Sequence, residues 1–186
     1  MLFNSSDFLI FFPIVVLVYF LIPQKLKNYW LLITSYYFYM CWNAKYALII
    51  LFSTVVTYFS GLALDSLQHQ SSVRSVTRKK KIIVAISVLL NLSLLFYFKY
   101  INFAIGILGD ALSVLHIELS IPAVDILLPV GISFYTFQAL GYTIDVYRGD
   151  TYAEKNFFQY ALFVSFFPQL VAGPIERSRH LLQQLS

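Results

Sequence analysis

Six stretches of the chain approach or reach the length of a bilayer crossing without one charged side chain. They are Phe8 to Gln24, Asn28 to Ala44, Tyr46 to Leu64, Ile82 to Phe98, Ile126 to Ile144 and Asn156 to Ile175. Crossing the hydrocarbon takes about 20 mostly apolar residues, with roughly 17 as the lower limit. In lipid every backbone N–H and C=O must find a partner inside the protein, and a helix achieves this within a single segment. The expected fold is therefore all-α: a polytopic transmembrane helical protein with about six spans, forming a single membrane domain over residues 1–186. A very greasy soluble core is the competing explanation. Such a core needs a polar shell, and 13 Lys and Arg with nine Asp and Glu cannot cover a chain that is 59% hydrophobic.

The net charge of +4 does not point to nucleic acid, because the basic residues lie between apolar runs and do not line a face. Lys25 and Lys27 follow the first stretch, and Arg74, Arg78, Lys79, Lys80 and Lys81 lie between the third and fourth. Both loops fall on one side of the membrane, with Asp65 as their only acid, so that side is expected to be cytoplasmic and the N-terminus outside. The same run from Ser71 to Lys81 also admits an anionic protein partner. The start, MLFNSSDF, has no Lys or Arg before the first apolar run, and no small-residue cleavage site follows it, so a cleaved signal peptide is not expected. Residues Tyr100 to Val124 are more mixed and read as an amphipathic or interfacial helix followed by a turn at Pro122. Trp30 and Trp42, near the ends of the second stretch, fit an aromatic belt. Cys41 stands alone, which leaves no internal disulfide and no cysteine metal site.

Polar side chains and helix breaks at membrane depth are costly, so their positions are informative. In the fifth stretch Gly131, Gln138, Gly141 and Asp145 share a helical face. Two readings stay open: small residues let another helix approach while Gln138 bonds across to it, or Gln138 lines a polar tunnel. In the sixth stretch Pro168 and the pair Gly173 and Pro174 predict a break near Pro168 and a helix end at about Gly173. Gln169, Gly173 and Arg177 recur every four residues, just where Glu176 and Arg177 bring charge. The wall of a cavity and a packing kink with interfacial charges are both consistent with this. His69, His116 and His180 all fall in polar or interfacial segments, and no nucleophile elbow, zinc motif or phosphate loop is present. No catalytic residue and no metal site is assigned.

LLPVGISFYTFQALGYTIDVYRG, from Leu127 to Gly149, and FFPQLVAGPIERSRHLL, from Phe166 to Leu182, resemble the membrane-bound O-acyltransferases that acetylate exported alginate and related polysaccharides. The opening FNSSDFLIFFPIVVLVYFLIP and the aromatic SYYFYMCWNAKY are similar to the first two helices of such proteins, so the resemblance covers essentially the whole chain. It implies the N-terminal part of a multi-helix enzyme in the bacterial inner membrane, with a tunnel through which a cytoplasmic acyl thioester, acetyl-CoA or another, meets an exported polysaccharide. It implies no bound cofactor, and an extracytoplasmic acetyltransferase as a partner. Gln138, Gln169, Gly173, Pro174, Glu176 and Arg177 match the motifs and are expected as tunnel or scaffold positions. The family's active-site histidine lies on a later membrane helix that nothing here matches, so this chain alone is expected to be inactive. A non-catalytic transport or scaffold subunit is the alternative.

Overall fold

The computed structural model describes residues 5–41, 43–68, 74–114, 129, 131–172 and 182. Among these residues every regular element is an α-helix and none is a strand. The helices are α1 (Ser6–Leu21), α2 (Gln24–Met40), α3 (Ala44–Gln68), α4 (Arg74–Val114), α5 (Ile132–Arg148), α6 (Phe157–Ser165) and α7 (Phe167–Ala172). Two of them, Ala44–Gln68 and Ser75–Ile107 within α4, are long and apolar enough to cross a membrane.

Boundaries follow local chemistry. Ser5 caps α1 by accepting from the Phe8 amide at 3.3 Å, and Pro23 ends the run between α1 and α2. The Asn156 side chain caps α6 through the amides of Phe158 and Gln159. Gly149, at φ +82°, closes α5 with paired bonds from Gly149 N to Val146 O and from Asp150 N to Asp145 O, the geometry of a Schellman motif. The side chain of Gln68 on α3 also donates to the Val146 carbonyl and fastens that end.

The expected interfacial helix after Tyr100 is not separate. α4 runs 41 residues without interruption through Lys99 to Val114, because hydropathy falls there while nothing in the sequence stops the backbone ladder. The turn expected at Pro122 lies outside the described residues.

Cross-helix contacts fix relative directions. Trp30 Nε1 donates to the Val15 carbonyl at 3.1 Å, and Phe8 packs on Phe38, so α1 and α2 are antiparallel. Ser53 Oγ meets Asn91 Oδ1 across α3 and α4, and Gln138 and Tyr142 meet Phe163 and Tyr160 in descending order across α5 and α6. α3 and α5 run parallel, since Gly61 faces Tyr142 and Gln68 reaches Val146. α1 and α2 thus run antiparallel, as do α5 and α6. The core lies where α3, α5 and α6 meet, around Ile50, Leu64, Tyr135, Tyr142, Tyr160 and Phe163. Large apolar side chains on α1 and α4 point outward, among them Leu9, Leu17 and Phe20, then Leu89 and Phe103. The Trp30 indole bonds to the α1 backbone, and Trp42 lies outside the described residues.

Candidate functional site

The sixth apolar stretch is two helices. α6 stops at Ser165, Phe166 takes a non-helical conformation (φ −57°, ψ 102°), and α7 starts at Phe167 with Pro168 in its first turn. The break therefore falls two residues before the proline, where a continuing helix would drive the ring into the preceding turn. Among the described residues α7 covers Phe167–Ala172, and the expected helix end at about Gly173 lies outside them.

Breaking the ladder here frees the Phe163 carbonyl and the Phe167 amide, both in fully buried surroundings. Each is met by a side chain from another helix. Gln138 Nε2 on α5 donates to Phe163 O at 2.7 Å, and Phe167 N donates to Ser35 Oγ on α2 at 3.4 Å. Gln138 Nε2 also donates to Gln169 Oε1 on α7 at 3.4 Å, so the two amides singled out in the sequence are adjacent. Phe167 itself plugs into an aromatic cluster, 5.3 Å from Phe38 and 5.7 Å from Phe11 between ring centroids. Beside the break, the buried hydroxyls of Tyr39 on α2 and Tyr135 on α5 have no hydrogen-bond partner among the described residues.

A second polar array joins α3, α4 and α6. Tyr160 Oη donates to Thr57 Oγ1 at 2.7 Å, and Thr57 returns its own hydrogen to the Ser53 carbonyl. Ser53 Oγ donates to Asn91 Oδ1, and the Asn91 amide donates to Ser87 O at 2.9 Å. Tyr160 lies 4.5 Å from the Tyr142 ring, and Tyr142 Oη accepts from the Glu154 amide.

These groups are amides, phenols and aliphatic hydroxyls. They hold a hydrogen-bonding partner in place, and none takes a proton at neutral pH. Gly173, Pro174, Glu176 and Arg177, together with His69, His116 and His180, lie outside the described residues. On the expected face of α5, only Gln138 of the two side-chain-bearing members is buried. Gly141 faces open space and Asp145 is half-buried. The close helix approach occurs instead at Gly61 of α3, where an added Cβ would lie 2.8 Å from the Tyr142 ring. Sequence reasoning missed Ser35, Tyr39 and Gly61. The spacing of Ser35 and Tyr39, four residues apart among aromatics, was the available signal for a polar stripe on α2.

Over its full length the chain is 38% identical to proteins named "probable alginate O-acetylase AlgI" of Pseudomonas syringae pv. tomato and Pseudomonas aeruginosa, in each case matching 35% of the relative. It is 30% identical over 99% of its length to a peptidoglycan O-acetyltransferase of Helicobacter pylori, matching 38% of that protein. The chain thus spans about a third of the length of the curated relatives it matches. No family model and no solved structure matches it.

Proposed function

Because the chain belongs to the membrane-bound O-acyltransferases, we propose that it forms the N-terminal part of an enzyme that acetylates an exported polysaccharide such as alginate. The observation that carries this reading is the full-length similarity to relatives named for alginate and peptidoglycan O-acetylation. The broken helix lends it physical support: freed backbone groups at membrane depth are tolerated where protein or a cavity surrounds them. The acyl donor is acetyl-CoA or another thioester. The acceptor side works with an extracytoplasmic acetyltransferase. Gln138 and Gln169 orient groups along the path, and a downstream helix of the enzyme brings the proton acceptor.

In this reading the protein is multi-pass in a bacterial inner membrane, with six crossings and the N-terminus outside. If successive helices alternate in direction, Lys25, Lys27, Arg74, Arg78, Lys79, Lys80, Lys81, Arg148 and Lys155 lie toward one end, against Asp65, Asp145, Asp150 and Glu154. A cationic excess of this kind belongs in the cytoplasm. Cys41, exposed at the end of α2, then faces outward. In intact spheroplasts an impermeant maleimide is expected to label Cys41. The variant Ser72→Cys in a Cys41→Ser background is expected to react only after permeabilisation. The reverse pattern would invert the topology.

Transfer to a sugar hydroxyl needs a positioned base and reacting atoms held about 3 to 3.5 Å apart. The 186-residue chain, purified in detergent with labelled acetyl-CoA and an alginate acceptor, is accordingly expected to transfer no label. Transfer abolished by His180→Ala would make that residue the base and overturn the assignment. The full genomic reading frame, expressed in an alginate producer that lacks its own O-acetylase, is expected to restore acetyl esters in the secreted polymer. Correctly inserted protein that yields no esters would favour the transport or scaffold alternative.

A further inference from the structure

We propose that the helix break holds a buried water molecule, bridging the hydroxyls of Tyr39 on α2 and Tyr135 on α5. Tyr135 is 0% exposed and Tyr39 4%, and neither hydroxyl has a hydrogen-bond partner among the described residues. The two hydroxyls lie within electrostatic reach of each other, and Tyr36 brings a third into the reach of Tyr39. Tyr39 stands one turn after Ser35, which meets the Phe167 amide, and Tyr135 one turn before Gln138, which meets the Phe163 carbonyl. Both phenols therefore border the interruption between α6 and α7.

Three other buried tyrosines have hydroxyls met by protein. Tyr160 donates to Thr57 Oγ1 at 2.7 Å, Tyr58 donates to the Lys155 carbonyl at 2.6 Å, and Tyr142 accepts from the Glu154 amide at 2.9 Å. Tyr39 and Tyr135 depart from that pattern. A phenol can both donate and accept, and leaving both capacities unused in an apolar interior is costly, so a phenylalanine would pack the same ring more favourably. A bound partner removes that cost. The partner must be small, because both side chains are enclosed, and a lipid headgroup, nucleotide or sugar would part the helices to sit beside them. It must be neutral, since phenols supply no counter-charge. It must also give and take hydrogen bonds. Water meets all three conditions, and two hydroxyls reach the lower end of the roughly 2 to 4 polar partners that hold a buried water. Ordered water is also one of the means by which an interrupted helix is accommodated at membrane depth. The inference does not depend on the acetylation reading. It rests on burial and hydrogen bonding.

The test is X-ray hydroxyl-radical footprinting of the protein expressed from its full reading frame and held in detergent, with oxidation mapped to single tyrosines by mass spectrometry. Radicals form where water is, so a buried ring is modified when a bound water touches it. Tyr39 and Tyr135 are expected to oxidise severalfold faster than Tyr160, which is equally enclosed but paired with Thr57. Tyr135→Phe should cut Tyr39 oxidation to the level of Tyr160, and Tyr39→Phe should do the same to Tyr135. Rates no faster than that of Tyr160 in the unaltered protein overturn the proposal. Melting temperatures give an independent reading. With a shared water each single variant melts lower, and the double variant Tyr39→Phe, Tyr135→Phe loses less than the sum of the singles. Fully additive losses mean two separate partners and overturn the bridge. If the hydroxyls are dry, each phenylalanine raises the melting temperature by removing an unpaired buried group, and the proposal fails. Lower melting in both singles without fast oxidation assigns the partner to a protein group and overturns it as well. If a variant does not insert, the oxidation rates of the unaltered protein decide.

Discussion

Replacing Gly61 with leucine is expected to destabilise the bundle by about 3 kcal/mol or more, the upper range for forcing atoms into a packed core. An added Cβ already lies 2.8 Å from both the Cε1 and the hydroxyl of Tyr142. That ring cannot retreat. It is fully buried, tilted against Tyr160 with 4.5 Å between ring centroids, and tied through its hydroxyl to the Glu154 amide. Displacing it separates α3 from α5 and disturbs the hydrogen bond from Tyr160 to Thr57. Gly141→Ala is the matched control, since a Cβ there meets nothing within 4 Å. It should be neutral or gain up to about 1 kcal/mol from helix propensity. Thermal aggregation followed by size-exclusion chromatography in detergent ranks the two. Equal melting of Gly61→Leu and Gly141→Ala would show that α3 does not pack on α5 through Gly61.

The second large effect is expected at the helix break. Gln138→Leu keeps the volume but removes the donor to the Phe163 carbonyl, leaving a fully buried acceptor without that bond. The cost should be about 1–3 kcal/mol, the usual penalty for an unsatisfied buried polar group. Gln138→Glu should be worse at neutral pH. Its carboxylate only accepts, and it would face two further acceptors, Phe163 O and Gln169 Oε1. Part of that loss should return in acid, where the protonated carboxyl donates. Melting curves between neutral and mildly acidic buffer measure this directly. A Gln138→Glu variant insensitive to acidification would mean that residue 138 does not bond the freed carbonyl.

Much of the fold was legible because charge-free length and proline are strong signals. The six apolar stretches each contain helix, and the expected interruption near Pro168 is found at Phe166. The adjacency of Gln138 and Gln169 was harder. Each amide was conspicuous alone, but their meeting depends on α5 and α6 running antiparallel with residues 138 and 163 level, a tertiary register that one sequence does not display. Gly61 escaped notice for the opposite reason. A glycine within a long apolar run looks like any small packing residue, and only the position of Tyr142 makes its lack of a side chain necessary. Hydropathy also did not show that the fourth apolar stretch and the helix after Tyr100 form one element. It marks where a chain leaves an apolar environment, whereas a helix ends where backbone bonding stops, and Lys99 changes the first without affecting the second.

The length of α4 has a metric consequence. Forty-one residues at the helical rise make a rod of about 62 Å, roughly twice the thickness of a bilayer's hydrocarbon. The distance from Arg74 to Val114 is therefore set by the pitch of the helix and not by the lipid around it. Were α4 to cross a bilayer upright with its cationic end at one surface, thinning the membrane would expose more of the opposite end, by about one residue for each 1.5 Å of lost thickness. In a bilayer crossed by an upright α4, the height of Val114 above the far surface would vary with the membrane's thickness.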